Sequence, residues 1–183
     1  MSGEMMNLEN DRMQQAENPA SIGCTCRRLR RMARLVTQLY DEALAAHGLT
    51  IAQFGLIASI AEHRAKTGKD MSIGALAGTL GLDPTTLNRN LHTLQRDKLV
   101  EVRPDKKDRR IRAVALTPAG RQRLKNARPA WRAAQDDLER RLGHDDVSAM
   151  HDVLDRSRDR LIESLRGPSQ KAGRASHSAN AQA

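Results

Sequence analysis

Apolar residues recur at Leu29, Met32, Ala33, Val36, Leu39 and Ala43, a helical period. The pattern predicts a first helix from about Ile22 to Ala46, stopped by Gly48. Thr50 and Gln53 form a T-x-x-Q capping box that opens a helix over Ile51 to Lys66. After a loop at Thr67 to Asp70, Ser72 caps a short helix reaching Leu80. Gly81-Leu82-Asp83 makes a tight turn. Asp83 is an N-cap and Pro84 takes the first helical position, where its missing N–H does no harm. The helix from Pro84 to Lys98 turns Leu87, Leu91 and Leu94 inward. The period then shortens, and Leu99 to Arg103 and Ile111 to Leu116 read as strands joined by a charged tip at Pro104 to Arg110. Thr117-Pro118 opens a long helix to Leu142 with Pro129 inside it, where a kink is expected. Gly143 ends that helix, and a last one spans Asp145 to Leu165.

The order short helix, turn, second helix, hairpin defines a winged helix-turn-helix. The predicted fold class is mainly α with a small β-wing. One domain covers residues 21–166, with the winged helix-turn-helix at 50–117 between dimerisation helices at 21–48 and 118–166. Residues 1–20 and 167–183 carry no sustained apolar period and read as disordered tails. The outer helices carry apolar stripes that a small wing domain cannot cover, and a second copy of the chain would bury them.

Composition narrows the function. The 183 residues carry a net charge of +9 and include three aromatic rings, Tyr40, Phe54 and Trp131. The charge points to a polyanion. Three rings cannot form a base-stacking platform and also serve a core, so RNA and single strands are excluded as partners. No apolar run approaches the ~20 residues a membrane span needs, and the polar first twenty residues do not resemble a signal peptide. Two cysteines are too few for a disulfide scaffold, so a reduced, cytoplasmic protein is expected. Phosphate-cradling loops, H-E-x-x-H and G-x-S-x-G do not occur, and the protein is not expected to be an enzyme. His144, His151 and Asp155 share one side of the last helix without a metal-ligand spacing, so neither metal nor cofactor is expected.

The second helix of the motif opens with Thr85, Thr86, Asn88 and Arg89, hydrogen-bonding types in the turns that enter a major groove. Asn pairs bidentately with adenine and Arg with guanine, and Thr offers a hydroxyl or a methyl. The plainer reading is that the threonines cap and solvate a helix start. The hairpin carries Arg103, Lys106, Lys107, Arg109, Arg110 and Arg112, with Asp105 and Asp108 between them. A long Arg at such a tip can enter a narrow minor groove. The plainer reading is a solvated charged turn. From residue 83 to 112 the chain holds nine basic and five acidic residues. The double-stranded partner would be an inverted repeat. An architectural DNA protein without an effector is the alternative of another class.

Asp105-x-x-Asp108-x-Arg110, followed by Leu116-Thr117-x-x-Gly120, resembles the wing and next helix start of the MarR family of transcriptional regulators. Gly48-Leu49-Thr50-x-x-Gln53-Phe54 is similar to that family's second-helix start, and the resemblance spans about Cys24 to Leu165. It implies an obligate homodimer whose interface is built from the first helix and the last two. It also implies that Arg110 enters a minor groove braced by Asp108, and that Thr85 to Arg89 face bases.

The releasing signal has two candidate classes. A small aromatic or anionic effector would sit in the cleft between dimerisation and DNA-binding lobes that the family uses. Arg30, Arg34, Tyr40 and Trp131 are its candidate lining residues, chosen by position along their helices. The alternative is oxidation at Cys26. Cys24-Thr25-Cys26 precedes Arg27, Arg28, Arg30, Arg31 and Arg34, and a helix start with nearby cations favours a thiolate. Cys26 and Tyr40 are fourteen residues apart, similar to the hydroperoxide-sensing branch of the family. That branch has a second tyrosine where this chain has Arg30, and Cys24 is additional. The plainer reading is two small residues packed at the dimer interface.

Overall fold

The computed structural model describes residues 23–105 and 108–165, except the side chain of Leu165. Its elements are α1 (Thr25–Leu44) with a short 3-10 turn (Ala45–His47), α2 (Ile51–Thr67), β1 (Met71–Ser72), α3 (Ile73–Leu80), α4 (Pro84–Arg96), β2 (Val100–Pro104), β3 (Arg112–Leu116), α5 (Pro118–Leu142) and α6 (His144–Leu165). This is the mainly helical winged helix-turn-helix predicted above. The proposed disordered tails fall outside the described residues.

The caps form as their residue types dictate. Thr50 Oγ1 accepts from the Gln53 amide at 3.2 Å, and Gln53 Oε1 accepts from the Thr50 amide at 3.0 Å. Asp41, ten residues upstream, accepts the next amide, Ile51 N–H, at 2.6 Å. Ser72 caps α3 through the Ala75 amide at 3.1 Å, and Asp83 caps α4 through the Thr86 amide at 2.9 Å. Gly81 turns the chain between them at φ 61°, a left-handed conformation that costs glycine little. Helix α4 stops at Arg96, two residues short of the predicted end. Lys98 adopts φ 56°, which lets the Leu99 amide reach the Leu94 carbonyl at 2.8 Å and turns the chain into β2.

The sheet has three strands in the order β1-β3-β2, all antiparallel, where two were predicted. Strand β1 is two residues long, too short to show a period of two. Met71 pairs with Val114 and Ser72 with Ala113. Pro104 ends the edge strand β2, where a missing N–H costs no ladder bond to a further strand.

The described residues pack as two units, divided after Gln135. The core of the first joins Leu44, Phe54, Leu56, Ile57 and Ile60 to Leu76, Leu87, Leu91, Leu94, Val114, Leu116 and Leu124. It is almost wholly aliphatic. The Trp131 ring stacks on Phe54, with centroids 5.7 Å apart. Helix α5 continues through Pro129. In the second unit, α6 buries Val147, while Val153, Leu154, Leu161 and Ile162 are exposed. Among the described residues no single helix is long and apolar enough to cross a membrane.

Candidate nucleic-acid interface

Helix α4 is amphipathic because its leucines fall three and four apart. Leu87, Leu91 and Leu94 are buried, which leaves Thr85, Asn88 and Arg89 exposed. Thr86 is half-buried beside the capping Asp83. Hydrogen bonds from Thr86 hold the Asp83 carboxyl below the usual aspartate range, so the cap is charged at neutral pH. The exposed stripe continues through His92, Gln95 and Arg96, each three or four residues further on. The sequence reading stopped at the first two turns and missed them, although the same helical period reaches them.

The wing tip is shaped by its two aspartates. Asp105 Oδ1 accepts from the Asp108 amide at 3.2 Å, and Asp108 Oδ1 accepts from the Arg110 amide at 3.0 Å. The Asp105 amide donates to the Ile111 carbonyl at 2.8 Å and closes the loop. Asp108 therefore holds Arg110 by its backbone, which sets where the arginine side chain starts. Arg109 and Arg110 are exposed. Lys106 and Lys107 lie outside the described residues.

Arg103, grouped above with the basic tip, turns away from it. Its Nε and Nη2 donate to Asp70 Oδ2 at 3.1 and 2.6 Å, and Nη1 lies 3.1 Å from Glu101 Oε1. Arg64 of α2 donates to the other Asp70 oxygen. Partial burial of Asp70 works to raise its pKa, but the hydrogen bonds and charges of Arg103 and Arg64 outweigh it, and the carboxyl lies below its ordinary value. The sequence reading missed Asp70, because nothing local relates it to a residue thirty-three positions away.

The structure does not bring the four effector candidates together within one chain. Tyr40 is buried and donates a hydrogen bond to Gln135 Oε1. Trp131 stacks on Phe54. Arg30 and Arg34 are exposed on α1, and Arg34 lines a shallow groove with Ala33, Thr37, Gln38, Asp41 and Glu42. A separate cavity of about 520 Å3 has Ile60, Ala115 and Leu116 in its lining, with Arg64, Arg103 and Arg121 among its charged groups. Cys24 is the N-cap of α1 and both cysteines are exposed. Cys26 and Tyr40 are fourteen residues apart along one helix, roughly 21 Å at 1.5 Å per residue.

A capped helix-turn-helix followed by a two-stranded wing with exposed arginines at its tip defines a winged helix-turn-helix protein. A family model described as "MarR family" matches residues 47–111. The transcriptional regulator MosR of M. tuberculosis is similar in structure, with a TM-score of 0.64 and 33% identity over 77% of this chain and 98% of that one. MosR in complex with DNA gives 0.59 and 34%, over 74% and 98%. CouR from Rhodococcus jostii RHA1, bound to p-coumaroyl-CoA, gives 0.58 and 25%, over 69% and 85%. The transcriptional activatory protein BadR of Rhodopseudomonas palustris is 33% identical over 94 residues, 51% of this chain. The match spans about half the length of BadR, 53%. The chain belongs to the MarR family of transcriptional regulators.

Proposed function

We propose that the chain is a homodimeric regulator that binds a specific inverted repeat in double-stranded DNA and is released by a small aromatic or anionic effector. The observation that carries this is the shared make-up of α4 and the wing. One exposes Thr85, Asn88 and Arg89 on a rigid, capped helix, and the other exposes Arg109 and Arg110 on a loop braced by Asp105 and Asp108. Groove reading by a helix with minor-groove insertion by an arginine requires that pair of features. Lys106 and Lys107 add phosphate contacts in this reading. MosR, seen with DNA, supports it.

Dimerisation is supported by the unpartnered apolar residues of the outer helices. Leu29 and Leu35 on α1 are 50% and 57% exposed, and Leu161 on α6 is 62% exposed. A two-fold dimer would set the recognition helices roughly 34 Å apart, which fits an inverted repeat on the order of 16–20 base pairs. For the effector, the cavity of about 520 Å3 offers apolar surface at Ile60, Ala115 and Leu116, but its Arg64 and Arg103 are paired with Asp70 and its Arg121 donates to the Leu116 carbonyl, so support for an anionic body comes from CouR, bound to p-coumaroyl-CoA. Arg30, Arg34, Tyr40 and Trp131 contribute in this reading only where a second chain completes the site. An operator overlapping a promoter makes the bound dimer a repressor. BadR is named an activator, and a reporter fusion reads which sign this chain has.

The test is a titration of wild-type, Asn88→Ala and Arg110→Ala protein on a duplex selected by the wild type from a randomised library. The expected result is at least about a thousandfold preference over random duplex. Each variant should lose about tenfold or more, from contacts worth about 1–3 kcal/mol. Equal binding to random duplex would leave an architectural protein instead.

Exposure of Cys26 in the first turn of α1 supports the second reading, release by peroxide. In that case Cys26→Ser protein stays on its operator when the wild type is released.

A further inference from the structure

The ladder register places an ion cluster beside the tip end of the wing hairpin. Ser72 pairs with Ala113, which pairs with Arg103, and Ala115 pairs with Glu101. Residues two apart share a face of the sheet, so Asp70, Glu101 and Arg103 lie on the face that Ala113 and Ala115 occupy in the middle strand. The two alanines are small and buried, and Arg103 reaches across β3 to Asp70. The Asp70 side chain is only 12% exposed. Its other oxygen takes Arg64 from the last turn of α2.

Arg103 is the next-to-last residue of β2. Pro104 and Arg112 make the final rung, and the tip beyond closes on its own bonds between Asp105, Asp108, Arg110 and Ile111. The Arg103–Asp70 pair is thus a fastening between the tip end of the hairpin and the body of the domain, made by a residue from outside the hairpin. Electrostatically it is costly for a protein that binds DNA. It adds a carboxylate beside the wing and engages two arginines.

We propose that Asp70 is a positioning residue for DNA binding: by holding Arg103 it fixes the angle at which the wing tip presents Arg109 and Arg110. The inference rests on the DNA-binding reading above. Pre-organising the tip removes an ordering cost that each binding event would otherwise carry.

The sign of one substitution separates this role from a charge effect. Removing an acid next to DNA by itself raises affinity. If Asp70 positions the wing, Asp70→Ala lowers it. On the selected duplex we expect Asp70→Ala to bind about 5–10-fold more weakly, and the slope of log affinity against log salt to shrink by about 1–2 as tip–phosphate contacts are lost. Arg103→Ala should match it, and the double variant should be no worse than either single. The conservative Asp70→Glu, which keeps a carboxylate for both Arg103 and Arg64, should bind within about twofold of the wild type, a retention that loss of the acid would not give.

Equal or tighter binding by Asp70→Ala overturns the proposal, as does a loss in Asp70→Glu as large as that in Asp70→Ala. If Asp70→Ala does not fold, Asp70→Asn carries the same comparison, because it also removes the acid while weakening the hold on Arg103. Wild-type protein that selects no duplex removes the DNA-binding reading itself. Wild type that selects one, with Asp70→Ala binding it equally well, removes only the positioning role.

Discussion

The backbone of Gly120 lies against the carbonyl of Leu99 so closely that a Cβ on Gly120 would stand 2.0 Å from that oxygen. Thr117 makes the approach. Its amide donates to the Leu99 carbonyl at 3.1 Å, its hydroxyl donates to the Lys98 carbonyl at 2.7 Å, and the same oxygen accepts the Gly120 amide at 3.0 Å. The Leu116-Thr117-x-x-Gly120 pattern is therefore the seam where the start of α5 docks on the start of β2.

Glycine inside a helix is ordinarily the weaker choice. Gly78 in α3 has nothing within 4 Å of a built Cβ, so Gly78→Ala should gain about 0.5–1 kcal/mol. At Gly120 the clash is with backbone and wins, so Gly120→Ala should lose about 2–4 kcal/mol. Urea denaturation at one fixed protein concentration gives both values, and a stabilised Gly120→Ala would contradict the close approach.

Tyr40 and Gln135 join α1 to α5 across 95 residues of sequence. Tyr40→Phe keeps the ring in the core and removes the hydroxyl donor, at a cost of about 1–2 kcal/mol. The thermal midpoint at fixed concentration checks it. An unchanged midpoint would mean that the hydrogen bond adds nothing net.

Leu154 and Leu161 are seven residues apart on α6, on one helical face, and both are exposed. Aspartate at both positions should convert a dimer to a monomer in sedimentation velocity. It should also weaken operator binding by more than about 30-fold, since the second half-site is no longer tethered. A double variant that still sediments as a dimer would place the interface elsewhere.

Asp70 has a pKa below its unfolded value, so the stability it contributes is fully present above the unfolded value of about 4 and is lost as pH falls through the lower folded one. The stability difference between wild type and Asp70→Asn should be constant from about pH 5 to 8 and shrink below about pH 4. A difference that grew on acidification would reverse the sign.

The legible part of the site was its local part. Asp83 before Pro84, and leucines three and four apart, dictate a capped helix with Asn88 and Arg89 on its open face. The same rule applied one turn further would have found His92. Asp108 as a brace for Arg110 was implied by the family resemblance, and in the structure Asp105 and Asp108 hold the tip through the Asp108 and Arg110 amides. Strand β1 was not legible, because two residues cannot display a period.

The sequence by itself determined the helices, the two hairpin strands, the caps at Thr50, Ser72 and Asp83 and the winged helix-turn-helix order, because each depends on residues within about four positions of one another. Only the tertiary structure decided that Tyr40 is committed to Gln135, Trp131 to Phe54 and Arg103 to Asp70. Each partner is supplied by an element far along the chain. A ring, a hydroxyl or a guanidinium looks the same in sequence whether it faces a ligand, a core or a carboxylate, and packing alone assigns it.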